Sequence, residues 1–163
     1  MEFSLLLSMA GFALAMSISP GPVNLVALGT GARYGFTASL RHVVGATLGF
    51  ILLLLLMGLG LCGALSRWPV ALGAIHWGGV LFLGWMAWQL LVDSGEVEEV
   101  EDVPPAFWSG ALMQWLNPKA WLAASMGMGA YGIAGGMRQI ALFTDIYLVI
   151  CLGSIACWAY AGS

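Results

Sequence analysis

Ser19-Pro20-Gly21-Pro22-Val23-Asn24 interrupts an uncharged run from Phe3 to Ala32, and Leu116-Asn117-Pro118-Lys119-Ala120-Trp121 interrupts a second apolar run. These two interruptions decide the fold. Each proline removes a backbone donor, and its ring clashes with the preceding turn. Ser19 and Gly21 precede prolines and are pushed out of helical geometry. The helix from Phe3 is therefore predicted to stop near Ile18. A second half-helix starts with Pro22 in its first turn, a position that suits proline. A bilayer core has no water to satisfy the freed backbone groups, so such breaks survive at depth only inside protein or beside a wet cavity.

The surrounding composition places both breaks in lipid. Hydrophobic residues make up 61% of the 163 and charged residues 8%. A soluble domain carries about 25% charged residues, so this chain lacks the polar surface to face water. Spanning helices need about 20 apolar residues. The charge-poor runs are Phe3–Ala32, His42–Ser66, Trp68–Val92, Val103–Met137 and Gln139–Tyr160. The expectation is an all-α, polytopic membrane bundle of about five transmembrane segments, two of them broken helices. It forms a single transmembrane domain. Residues 93–105 hold six of the eight acids and read as a solvent loop between a first half, 1–92, and a second half, 106–163. Matching breaks in the two halves suggest an inverted three-plus-three repeat whose last helix is missing.

Other classes are argued against. The net charge of −3 comes mostly from the acidic loop, and the five cations Arg33, Arg41, Arg67, Lys119 and Arg138 are scattered. No nucleic-acid partner is expected. Cys62, Cys151 and Cys157 form no CxxC and lie in apolar runs, as packing residues do. His42 and His76 stand alone, without paired ligands at helical spacing, and no cofactor is expected. The sequence contains no HExxH, no GxSxG and no acidic pair within a span, which argues against a membrane enzyme. The N-terminus lacks the positive region of a cleaved signal peptide. Arg33 and Arg41 favour a cytoplasmic first connection, but Arg67 and Arg138 then fall outside, so orientation stays open.

Glycine is about twice as frequent as usual, at 23 residues. Gly45 with Gly49, and Gly132 with Gly136, have the spacing that lets membrane helices approach closely. Tight packing within the chain is one reading and a homo-oligomeric face the other.

The chemistry concentrates at the breaks. A half-helix starting at Pro22 points free N–H groups and a positive dipole end into the membrane, a seat for a carboxylate to which Asn24 adds a donor. Lys119 precedes 18 uncharged residues. A lysine at such depth costs about 2.5–3.5 kcal/mol on insertion scales and is a functional-site candidate. The alternative is two short segments with Lys119 reaching an interface. Asp145 is the sole acid of the last run. It is a candidate for proton relay or amine binding, expected to face the interior; an interfacial acid near the helix start is the other reading. The candidate substrate-binding set is thus Pro20, Gly21, Pro22, Asn24, Asn117, Pro118 and Lys119, with Asp145 as the proton-coupling candidate.

The stretch Ser19-Pro20-Gly21-Pro22-Val23-Asn24-Leu25, with Gly29, Gly31, Arg33, Gly35, Gly45 and Gly49 after it, resembles the LysE/RhtB family of amino-acid exporters. The run Phe107-Trp108-Ser109-Gly110-Ala111-Leu112, leading into Gln114-Trp115-Leu116-Asn117-Pro118-Lys119-Ala120-Trp121, is similar to that family's fourth segment. The resemblance spans nearly the whole chain. It implies export of amino acids or related small metabolites across a bacterial inner membrane, driven by an ion gradient, protons foremost, and not by ATP. Its partners are then the bilayer, an amino-acid-like substrate and protons. Members have six hydrophobic segments and this chain shows five. The expectation is that the chain alone is a weak or inactive transporter, with the small residues Ser125, Gly127 and Gly129 on an open flank; the alternative reading is a truncated, non-transporting remnant or an assembly subunit of such an exporter.

Overall fold

The computed structural model describes residues 3–61, 64, 67–92, 106–132 and 135–163, and no strand occurs among them. Helix α1 runs Phe3–Ile18 and ends where the proline chemistry requires. Gly21 is extended (φ −167°, ψ 173°), and α2, Pro22–Gly58, begins with proline in its first turn. Within α2, Gly35 has φ 78° and ψ 166°, a conformation in which only glycine is unstrained. It divides α2 into a half-helix, 22–34, and a long arm, 36–58. The chain then forms α3 (Pro69–Val92), α4 (Phe107–Leu116) and α5 (Pro118–Gly127). A π-helical turn at Met128–Gly132 follows, and α6 spans Gly136–Gly162. The predicted connection between Arg33 and Arg41 shrinks to the Gly35 break. Ser39 Oγ donates to Gly35 O at 2.8 Å, and the helix resumes at once.

Helix α6 is the pillar. Its buried residues Ile140, Phe143, Thr144, Tyr147, Cys151, Ser154, Ile155 and Ala159 recur every three or four positions, one continuous inward face. Contacts along this face set the sense of each neighbour. Phe12 meets Phe143, and Trp158 donates to Ile18 O, so α1 runs parallel to α6. The half-helix of α2 continues in that sense, with Gly31 pressed on the Ala159 carbonyl. The long arm returns antiparallel, since Phe36 packs on Tyr160, Phe50 on Tyr147 and Gly58 on Ile140. Gly45 faces the Phe107 backbone and Gly49 that of Ala111, so α4 runs alongside this arm. The two broken segments, α1 with the first part of α2 and α4 with α5, thus cross the bundle in opposite senses.

Backbone contact at these crossings depends on absent side chains. A Cβ on Gly45 would strike the Phe107 carbonyl, and one on Gly110 the His42 carbonyl. The Gly45–Gly49 pair therefore packs within the chain. Gly132 and Gly136 do not form a second such ridge: Gly136 has φ 65° and lies at the turn before α6, not on a continuous helix face. Gly127 is not open to one flank either. It is buried against Phe143 and Phe12, whereas Ser125 and Gly129 are exposed.

The outer surface is apolar. Leu7, Leu14, Leu48, Leu52, Leu122 and Val149 are among many large hydrophobic residues left exposed, far beyond what a water-soluble monomer presents. Helices α2 and α6 are long and apolar enough to cross a bilayer. The acidic loop 93–105 lies outside the described residues, as does Cys62.

Candidate functional site

The two breaks meet. Lys119, in the first turn of α5, reaches across to the end of α1, where its Nζ donates to Ser19 O at 2.6 Å. Its stem lies against Gly21, the residue that opens α2; a Cβ there would stand 3.3 Å from Lys119 Cδ. A snorkelling lysine would point outward to an interface. This one points inward, half-buried, at a helix end.

That helix end accounts for the polar residues around it. The last four carbonyls of a helix have no partner within it, and in lipid each must find one elsewhere. In α1 all four do. Ser19 Oγ donates to Met16 O (3.4 Å), and Trp158 Nε1 to Ile18 O (2.9 Å). Asn24 Nδ2 donates to both Ser17 O and Ser19 O, each at 2.9 Å. Ser19 O thus serves two donors, Asn24 and Lys119, which fill both of its lone pairs.

The second break is closed in part by its own residues. Asn117 Oδ1 accepts from Lys119 N at 3.1 Å and so caps α5. Trp121 Nε1 donates to Trp115 O at 2.8 Å, and Trp115 Nε1 to Gly49 O at 3.1 Å. The start of α2 differs, because no side chain caps its first turn.

Between the breaks lies a small, partly open cavity. Its polar wall includes Ser17, Asn24, Gln114, Asn117, Lys119 and Tyr147, and its apolar wall Met16, Phe50, Ala123 and Ile155. Ser17 is 8% exposed, and its Oγ has no hydrogen-bond partner among the described residues.

Of the residues singled out in the sequence, Gly21, Asn24, Asn117 and Lys119 line this cavity. Pro20, Pro22 and Pro118 shape the breaks but do not line it. Asp145 is the correction. It is exposed on α6, two positions from buried Tyr147 and so about 200° around the helix from it. The inward stripe of α6 passes through Thr144 and Tyr147, which leaves Asp145 on the outer face. Ser17, Gln114, Phe50, Tyr147 and Cys151 also line the cavity, and the sequence reading missed them. Ser17 and Gln114 carried a usable signal, as polar residues close before each break. His42 is 1% exposed, with its ring against the Val23 backbone and no well-formed hydrogen bond at either nitrogen. No cluster of metal-ligating residues occurs among the described residues.

Asn24 should be a stability residue whatever else it does. Asn24→Leu removes the donor to two carbonyls; Lys119 still serves Ser19 O, so Ser17 O is the one left unpaired. A loss of roughly 1–3 kcal/mol is expected, read by denaturant unfolding in micelles or nanodiscs. An unchanged midpoint would show that water replaces the amide.

Two crossed broken helices around a small cavity are an arrangement that membrane transporters use. The sequence model of the LysE type translocator family matches residues 14–162, and the chain belongs to that family. It is 26% identical over 154 residues to the cysteine/O-acetylserine efflux protein of Escherichia coli strain K12, an alignment covering 93% of this chain and 78% of the relative. The protein of that name from Escherichia coli O157:H7 matches with the same identity and coverage. No solved structure matches.

Proposed function

We propose that this chain exports a small zwitterionic amino acid, of the size of cysteine or O-acetylserine, through the cavity between the breaks. The carrying observation is the bond from Lys119 Nζ to Ser19 O, which ties two oppositely running broken helices at one point. Broken helices at the interface of inverted repeats are the arrangement that secondary transporters use for solutes. The opposed senses of the two broken segments, with the membership of an exporter family and the names of its relatives, support this reading. The chain acts as a single multi-pass domain of the bacterial inner membrane, with an inverted repeat in which each half supplies one break.

The substrate-binding set is proposed to be Gly21, Asn24, Asn117 and Lys119, framed by Pro20, Pro22 and Pro118. The uncapped first turn of α2, beside the Lys119 stem, supplies the seat for the carboxylate. The coupling ion is proposed to be the proton. Asp145 is not placed on its route, because its exposed position keeps it off the cavity wall.

The test is uptake of radiolabelled L-cysteine into inverted vesicles containing the purified chain, with an imposed proton gradient. Saturable uptake that collapses with a protonophore is the expected result. Uptake equal to that of protein-free vesicles would end the exporter reading, and uptake indifferent to the protonophore would end proton coupling.

A further inference from the structure

We infer that the seat Lys119 Nζ takes on Ser19 O is the seat of the substrate's own ammonium group. Exchange of one ammonium for the other frees Lys119 to receive the substrate's carboxylate. The inference rests on the cavity being the solute path and assigns which end of the solute goes where.

The argument is one of chemical likeness. Lys119 is the single lysine of the sequence, and its head is a primary ammonium, as is that of an α-amino acid. At 2.6 Å it shows that a primary ammonium fits against the end of α1. That end is electronegative, being a helix C-terminus with its carbonyls turned into the cavity. Ser19 O has no third lone pair, since Asn24 Nδ2 holds the other. A second ammonium can therefore bind there only by displacing Lys119.

Ser17 gives independent support for a ligand. Its hydroxyl lines the cavity, more than nine-tenths buried, beside the Tyr147 hydroxyl and the Cys151 thiol and without a well-formed hydrogen bond among the described residues. A buried hydroxyl left unpaired is costly, and a substrate ammonium seated at Ser19 O brings two further N–H donors for such acceptors. No carboxylate on the described cavity wall competes for the amine, because Asp145 lies on the outer face. The released Lys119 stays beside the start of α2, where its stem already lies. The substrate's carboxylate then sits between a mobile ammonium and an uncapped helix N-terminus. Occupancy thus swaps one cross-link between the breaks, helix end to lysine, for another, helix end to substrate to lysine.

Three probes that share a two-carbon thiol unit separate the two ends: L-cysteine, cysteamine (no carboxylate) and 3-mercaptopropionate (no amine). Their binding to the full chain in nanodiscs is measured for wild type, Lys119→Met and Ser17→Ala. Lys119→Met removes the competitor for the amine seat and the anchor for the carboxylate. Cysteamine should then bind roughly tenfold tighter or better, and 3-mercaptopropionate about tenfold weaker or worse, the scale of one charged hydrogen bond. Ser17→Ala should weaken L-cysteine and cysteamine severalfold and leave 3-mercaptopropionate unchanged. Should Lys119→Met fail to fold, the Ser17→Ala arm decides alone.

If all three probes shift together in either variant, or cysteamine weakens in Lys119→Met, the lysine is a structural cap and the inference is wrong. Vesicle uptake of L-cysteine by wild type keeps the two readings apart. Uptake without opposite shifts sinks the exchange and leaves export standing. Absence of both uptake and binding sinks both.

Discussion

Gly45→Ala combined with Gly49→Ala is expected to abolish most folded protein, while Gly11→Ala combined with Gly153→Ala is expected to leave yield and melting temperature unchanged or slightly raised. The four positions differ only in what a methyl group meets. At Gly45 it meets the Phe107 carbonyl, and at Gly49 the Ala111 backbone at 2.7 Å; at Gly11 and Gly153 nothing lies within 4 Å. Backbone atoms cannot rotate aside as a side chain can. Helices α2 and α4 must separate, which breaks the Trp115 bond to Gly49 O as well. Overpacking costs typically about 1–3 kcal/mol per site, and two adjacent sites consume a large share of a total stability of roughly 5–15 kcal/mol. In lipid no apolar driving force compensates, because association rests on close packing. Yield of monodisperse protein and thermal unfolding by circular dichroism are the measurements. Normal folding of the Gly45/Gly49 variant would mean that α4 does not lie against α2.

Lys119→Met is expected to reduce export roughly 10- to 100-fold, with insertion and helix content retained. The substitution keeps the stem that lies beside Gly21 and deletes the ammonium that bonds Ser19 O. A hydrogen bond to a charged group contributes about 1.5–3 kcal/mol, which sets this range. Asn24 still bonds Ser19 O, so the fold survives. Lys119→Arg should retain part of the activity, since the charge remains but a planar fork replaces a compact ammonium. Efflux of labelled L-cysteine from preloaded cells, normalised to protein in the membrane, is the readout. Wild-type efflux from Lys119→Met would place the transport path elsewhere.

Much of this was legible in the sequence because proline acts locally. Pro20 and Pro22 end one helix at Ile18 and start another at Pro22, and Pro118 starts a third, as the residues alone predict. The run lengths foretold long apolar helices. For Lys119 the sequence left two directions open, into the bundle or out to an interface, and the bond to Ser19 O shows the inward one. What failed was helix phase. Asp145 was assigned inward because charge in lipid is costly, yet phase is set by the partners that Phe143, Tyr147 and Cys151 find across the bundle. The role of Asn24 was half seen. It was read as a donor for a ligand, whereas its amide is spent on α1 carbonyls five and seven residues before it. Ser17 and Gln114 were missed because their signal, a polar residue shortly before each break, marks the neighbourhood of the break and leaves the facing side open. Gly35 gave no sequence signal that separated it from the other glycines; its φ was needed to recognise it as a turn.

The carbonyls that end α1 have a consequence for synthesis at the ribosome. Two of their four caps come from residues 100 and 140 positions later in the chain. At a synthesis rate of about 5–20 residues per second, Trp158 emerges roughly 7–28 seconds after Ile18. During that interval the first span carries polar backbone that hydrocarbon cannot accept. It is expected to linger in a hydrated insertion channel or beneath an insertase until α6 arrives. Premature release of the first span would be the characteristic error of its biogenesis.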